Sequence, residues 1–101
     1  MEFLVDMRTT VPAGTTAETV ADTRGREAAH TKELAAQGHI LRLWKPPVAP
    51  GEWRTLGLFH AADDDELQQV LESMPLHIWM NVTVTPLTPH PSDPAVGRPS
   101  G

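Results

Sequence analysis

Within residues 1–60, three segments show the alternation of apolar and more polar side chains that is typical of β-strands. The alternation begins at once and predicts a first strand over residues 2–9. Residues 39–45 and 53–60 are short, apolar and partly alternating, and prolines follow the first of them. The segment between them, residues 46–52, is too short for a crossover helix. Residues 39–45 and 53–60 are therefore predicted to pair as an antiparallel hairpin.

Two further segments predict amphipathic helices. The first begins at Thr15 or Thr16 and runs to Gly38, which tolerates the left-handed backbone that often ends a helix. The second begins at Asp63, with a glutamate three residues later in the manner of a capping box. Its apolar residues recur at i, i+3, i+4 and i+7, and Pro75 is predicted to end it.

A last alternation begins at Ile78 and predicts a fourth strand that Pro86 closes. The resulting order, β-α-β-β-α-β, is that of an α+β ferredoxin-like domain, in which a four-stranded antiparallel sheet carries both helices on one face. We expect residues 1–87 to form this single domain. Residues 88–101 are mostly proline, glycine and polar, and we expect them to form an extended C-terminal tail.

The sheet face without helices needs a cover. A chain of 101 residues buries only about 60 to 65% of the surface that its unfolded form exposes. Packing a second sheet against the open face would remove its apolar side chains from water. We therefore expect a homodimer with its sheets face to face, covering apolar candidates on three strands: Leu4, Leu41, Leu43, Leu56 and Leu58.

Composition excludes several classes of protein. The chain has no cysteine, which rules out disulfides and thiolate chemistry and favours a cytoplasmic location. Its formal charge of −5 repels phosphate backbones, so nucleic acid is not an expected partner. Neither a secretion signal nor a membrane-spanning run is visible. The histidines lack metal-site spacings and no phosphate-binding loop occurs, so we expect neither a metal nor an organic cofactor.

Glu27 is the strongest candidate for a chemical role. Helical geometry places it near the middle of a stripe, roughly 80° wide, that also holds Val20 and Leu34 and must face the sheet. Desolvation at such a position raises the pKa of a carboxyl group toward the range in which it can accept and return a proton. A general base needs this property. The alternative is a structural ion pair with Arg24 or Arg42.

Other candidates surround this position in the predicted fold. Arg42 is either a bidentate partner for a carboxylate or a surface charge on the outer face. Lys45 flanks the hairpin loop and either extends a cationic rim or is solvated. His30 lies one turn after Glu27, where it either orients the carboxylate or is an ordinary surface histidine. The three tryptophans are candidates for the core first and for a pocket wall second: Trp44, Trp53 and Trp79.

Four pieces of the sequence resemble the muconolactone isomerase family in their order and spacing. They are Arg26-Glu27 in the first helix, Leu43-Trp44-Lys45, residues 74–80 (Met-Pro-Leu-His-Ile-Trp-Met), and His90-Pro91-Ser92. The resemblance implies the fold of the dimeric α/β barrels, assembled into larger rings. It also implies a cofactor-free isomerase, classed as an intramolecular oxidoreductase, in aromatic degradation through the β-ketoadipate route.

The implied reaction converts muconolactone to 3-oxoadipate enol-lactone by moving a double bond. A base removes a proton from carbon and returns it elsewhere, while the substrate carboxylate calls for an Arg or Lys clamp. We expect Glu27 and Arg42 to be the catalytic residues, with His90 reaching the pocket of a neighbouring subunit. The expected substrate contacts are His30, Lys45, Trp44, Trp53, Trp79 and His90.

Departures from the family pattern fall at the expected pocket. The loop over residues 46–52 is longer and richer in proline, and Trp53 stands where tyrosine is usual. Residues 77–79 and Pro89 also differ from the family. Two alternatives follow: a relative acting on another enolisable lactone or ketone in secondary metabolism, and a non-catalytic protein that binds a small ligand or only assembles. An interior with no cavity beside Glu27 would favour the last.

Overall fold

A computed structural model describes residues 1–95 and has the predicted order of elements. The bounds are β1 Glu2–Thr9, α1 Ala17–Ala36, β2 Ile40–Trp44, β3 Trp53–His60, α2 Asp64–Glu72, a 3₁₀ helix η1 Pro75–Trp79, and β4 Met80–Leu87. The sheet order is β2-β3-β1-β4, and all three strand pairs are antiparallel. The predicted α+β ferredoxin-like class is confirmed.

Both α-helices begin at side-chain caps that the sequence predicted. The hydroxyl of Thr16 accepts a hydrogen bond from the backbone amide three residues later, at 3.1 Å. Asp63 caps α2 in the same way, accepting from the amide of Glu66 at 2.8 Å. The Glu66 carboxylate in turn accepts from the amide of Ala62, one residue before the position that a standard capping box uses. After α1, Gly38 has φ of 84°, as expected for a helix-ending glycine.

The core lies between the helices and one face of the sheet. Alternate residues of β1 point toward the helices, and the same holds for β3, where Gly57 and Phe59 are buried. A side chain at position 57 would overlap the ring of Phe59 and approach Leu43 to 3.1 Å, so the close packing here requires glycine. The core residues are Phe3, Val5, Met7, Leu34, Ile40, Phe59, Ala61, Leu67, Val70, Leu71 and Met74.

The fourth strand differs from the prediction at both ends. Residues 75–79 form a 3₁₀ turn, and Ile78 is 77% exposed rather than part of the strand. The amide of His77 donates to the carbonyl of Met74 at 2.9 Å, so the backbone is committed to a local turn. Pro86 lies inside β4, which ends at Leu87. Proline is tolerated there because β4 is an edge strand paired only with β1.

The face of the sheet without helices carries both apolar and charged residues. The strand register places Leu4, Leu56 and Leu58 on it, three of the candidates named above. On the same face Arg54 donates two hydrogen bonds to Asp6, at 3.0 and 2.8 Å. The face-to-face dimer stays a prediction.

The chain leaves the sheet at the end of β4. Leu87 pairs with Glu2, and residues 88–95 follow with exposed or half-buried side chains. The rest of the predicted tail, residues 96–101, lies outside the described residues. Across residues 1–95, no helix has the length and apolarity needed to span a membrane.

Candidate active site

A cavity of about 740 Å³ opens between α1, one end of the sheet and the β2–β3 loop. It lies where β1 ends and β3 begins, since Thr9 and Trp53 are a cross-strand pair and both line it. Helix α1 supplies Arg24 and Glu27, and the loop supplies residues 48–52. Apolar side chains complete the wall: Met7, Leu43, Met74, Leu76 and Met80.

Glu27 is half-buried on the wall of this cavity. Its Oε1 accepts a hydrogen bond from the backbone N–H of Leu76 at 2.9 Å. Burial raises the pKa of the Glu27 carboxyl above its ordinary 4.5, while the Leu76 hydrogen bond and the nearby His30 and His77 act in the opposite direction. The side chain faces inward, as its place in the stripe of α1 predicts.

The ion pairs proposed as the alternative role of Glu27 do not form. No Lys, Arg or His side chain in residues 1–95 lies within 4.0 Å of its carboxylate. Arg24 instead stacks on Trp53, with its guanidinium carbon 4.7 Å from the ring centroid. Arg42 stacks on Trp44 at 5.1 Å. Burial therefore outweighs the opposing effects of the Leu76 amide, His30 and His77, and the pKa of Glu27 stays raised, as suits a general base.

Four of the predicted site residues come together at the cavity. Trp44 and Lys45, at the end of β2, line it with Glu27 and Trp53. Lys45 thus adds a cationic side chain to the cavity wall, beside the β2–β3 loop.

Arg42, predicted to be catalytic, does not line the cavity. A β-bulge shifts the register of β2 between Ile40 and Arg42, so the simple alternation along the strand is broken. Ile40 is buried on the helix side, whereas Arg42 pairs with Leu58 on the open face and is exposed. Of the two roles that its sequence context allowed, the observed one is a charge on the outer face.

His30 and Trp79 also lie away from the cavity. His30 Nε2 is 2.8 Å from the Ser73 hydroxyl and Nδ1 is 3.2 Å from Glu33, so the ring links α1 to the end of α2 instead of orienting Glu27. Trp79 ends η1, and its carbonyl accepts a hydrogen bond from the amide of Thr10 at 2.8 Å. Both residues hold together the elements around the site and do not form part of the cavity wall.

His90 cannot reach the cavity of its own chain. The cavity lies near Met80, at the start of β4, whereas the tail leaves after Leu87 at the other end. An eight-residue strand spans about 24 Å, and three further residues reach about 10 Å. Within residues 1–95, the ring of His90 accepts a hydrogen bond from the amide of Ser92 at 2.9 Å, and its carbonyl accepts one from the amide of Asp93 at 2.9 Å.

Two features of the site were missed by sequence reasoning. Arg24 was considered only as an ion-pair partner, although its position one turn before Glu27 on the same stripe was a usable signal for a place on the cavity wall. The backbone amide of Leu76 had no such signal, because every residue except proline has a backbone N–H and the residue type does not indicate which one binds Glu27.

Fold and cavity together define a ferredoxin-like α+β domain with a half-buried carboxylate in a cleft between helix and sheet. The family model for muconolactone delta-isomerase matches residues 1–93. The chain belongs to this family.

Individual relatives agree with the family match. The chain is 33% identical over 92 residues to the muconolactone Delta-isomerase of Cupriavidus pinatubonensis, covering 91% of this chain and 97% of the relative. It is 30% identical over 91 residues to that of Rhodococcus opacus, covering 90% and 95%. A crystal structure of muconolactone isomerase superposes with a TM-score of 0.79 at 25% identity, covering 91% and 93%. The predicted family, fold and isomerase class are confirmed.

Proposed function

We propose that this protein moves a carbon–carbon double bond within a carboxymethyl-butenolide, the muconolactone type of substrate, by proton transfer through Glu27. The observation that carries the proposal is the Glu27 carboxylate, which is half-buried on a cavity wall with a raised pKa and no cation within ion-pair distance among residues 1–95. These are the properties of a base that must take a proton from carbon and give it back.

The chemistry needs one group acting twice. In an α,β-unsaturated lactone, the hydrogen on the ring carbon that bears the carboxymethyl arm is acidic, because its removal gives a dienolate conjugated with the carbonyl. Returning the proton to the carbon next to the carbonyl leaves the double bond one position further along. One proton leaves the substrate and one is added, so a single carboxylate can serve both steps and no other reagent is consumed.

The two oxygens of Glu27 are suited to different tasks. Oε1 is held by the Leu76 amide. Oε2 accepts no hydrogen bond from the protein within residues 1–95, which leaves it available to a substrate proton. An anchored base on a rigid helix is an oriented base, and orientation contributes much of the rate in proton transfer.

The dienolate carries negative charge on the lactone oxygen, which a cation or hydrogen-bond donor must stabilise. Lys45 lines the cavity and is suited to this role. The absence of cysteine favours the cytoplasm as the place of action.

The direct test is turnover of muconolactone by purified protein, followed by ultraviolet absorbance as the conjugated double bond moves. Isomerisation that depends on Glu27 is the expected result. A protein that binds muconolactone but never isomerises it would contradict the proposal. The cavity beside Glu27 already counts against a role in assembly alone.

A second candidate is the same proton transfer on a different small lactone or ketone. It is favoured by the cavity wall, because residues 48–52 and Trp53 line the cavity and stand where the chain departs from the family pattern. Comparing kcat/KM for muconolactone with kcat/KM for unsubstituted and alkyl-substituted butenolides separates the two. A preference for the neutral lactones would favour the second candidate.

A further inference from the structure

A cation stands on the wall of the cavity one helical turn from Glu27. Arg24 and Glu27 are three residues apart on α1, and both line the cavity. Residues at this spacing have Cβ atoms about 5–6 Å apart, which suits contact of both side chains with one small molecule. The cavity therefore presents a proton acceptor and a positive charge on the same wall.

Among residues 1–95, Arg24 has no acidic partner, whereas two other arginines have one. Arg26 lies 3.1 Å from Asp22, and Arg54 is bound to Asp6. Within the described part of the chain, no carboxylate lies within 4.0 Å of Arg24. The charge of Arg24 is thus not neutralised by a protein carboxylate.

The indole of Trp53 gives this cation a defined position. The guanidinium carbon lies 4.7 Å from the ring centroid, within the distance of a cation–π contact. Stacking uses the flat face of the guanidinium and leaves its N–H edges for a ligand. Tryptophan is also the strongest cation–π partner among the aromatic side chains.

We propose that Arg24, stacked on Trp53, binds the carboxylate of the substrate and makes the site specific for small lactones with an acidic side arm. The guanidinium fork matches a carboxylate in two parallel hydrogen bonds. Glu27, one turn away, then faces the ring carbons of the bound molecule. The inference rests on the proposed function for the substrate class. It assigns to Arg24 the carboxylate-binding role that the sequence suggested for Arg42.

The test uses a ligand that does not react, so that it does not depend on turnover. The saturated lactone 5-oxotetrahydrofuran-2-acetic acid and its methyl ester are titrated by calorimetry into the wild-type protein, Arg24→Gln and Arg26→Gln. Arg26 is the matched control, an arginine two residues away on α1 that is paired with Asp22 and does not line the cavity. Circular dichroism checks that each variant is folded.

The wild type and Arg26→Gln are expected to bind the acid about 10- to 100-fold more tightly than the ester, the range of a charge-assisted hydrogen-bonded pair. Arg24→Gln is expected to lose that preference while still binding the ester. Arg24→Lys keeps the positive charge but not the forked guanidinium, and it is expected to retain part of the preference for the acid. It is the variant to measure if Arg24→Gln fails to fold.

Two results would overturn the inference. One is a wild-type protein without preference for the acid, including one that binds neither ligand. The other is an Arg24→Gln protein that loses affinity equally for acid and ester, which would make Arg24 only a support for Trp53. A wild type that prefers the acid through Arg24 but does not isomerise muconolactone would leave the clamp standing and refute the proposed function alone.

Discussion

The carboxylate of Glu27 accepts a hydrogen bond from the backbone N–H of Leu76 at 2.9 Å, which joins the middle of α1 to the first turn of η1. Amides in the first turn of a helix have no carbonyl partner within that helix. The Glu27 carboxylate is the acceptor for the Leu76 amide, and this hydrogen bond holds Glu27 at the cavity wall. The carboxylate proposed for proton transfer is in this way also a cap, and the two roles can be separated experimentally.

Replacing Glu27 by Gln removes basicity but keeps an oxygen that can accept from Leu76. We expect kcat on muconolactone to fall by about 10² to 10⁴ with little change in KM, because the lost interaction belongs to the proton transfer itself. Steady-state kinetics on folded protein measure this. Turnover close to the wild-type rate would mean that another group is the base.

Glu27→Gln is also expected to leave the protein at least as stable as the wild type at pH 7, whereas the loss of an ion pair would make it less stable. Burial raises the pKa of Glu27 in the folded protein, so its contribution to stability is fully present at low pH and is lost as the pH rises through that raised pKa. At pH 7 the melting temperature of Glu27→Gln should equal that of the wild type or exceed it by a few degrees. The difference should vanish below pH 4. A clear decrease at pH 7 would indicate a stabilising ion pair instead.

The pH dependence of catalysis should report the same group. Because the base must be ionised, kcat/KM is expected to rise with pH and level off, with a midpoint above the ordinary glutamate pKa of 4.5. Muconolactone has a carboxyl group that titrates nearby, so its methyl ester provides the control. A midpoint that disappears with the ester would belong to the substrate and not to Glu27.

Assembly is expected to depend on the helix-free face of the sheet. Introducing a charge by Leu58→Asp should weaken a face-to-face dimer, because Leu58 lies in the middle of that face, paired with Leu4 on β1 and with Arg42 on β2. Ile78→Asp is the matched control, since Ile78 is exposed and lies off the sheet. Light scattering distinguishes the species. An 11.0 kDa monomer for the wild type at micromolar concentration would refute the prediction.

The tail is predicted to act on a neighbouring subunit, because His90 leaves the sheet at the end away from its own cavity. Truncation after Leu87 keeps β4 whole and should lower kcat/KM or weaken assembly while circular dichroism stays unchanged. His90→Ala tests the histidine alone. A truncated enzyme with normal activity and size would show that the tail has no part in the site.

Much of this architecture followed from local patterns in the sequence. The bounds predicted for β1 and β3, residues 2–9 and 53–60, coincide with those observed. Strand alternation and the helical stripe depend only on residues close in the chain, and so does the capping of α2 by Asp63. The inward direction of Glu27 was predicted for the same reason.

The arrangement of the site required the tertiary structure. The bulge in β2 sends Arg42 to the open face, and a bulge depends on pairing with β3 rather than on the residues of β2. Leu76 offers a backbone amide, which any residue but proline would offer, so its bond to Glu27 depends on how η1 packs against α1. Arg24 meets Trp53 across 29 positions of sequence. Sequence determined the elements because their periodicity is local, whereas the partners of Glu27 and Arg24 were decided by packing between distant segments.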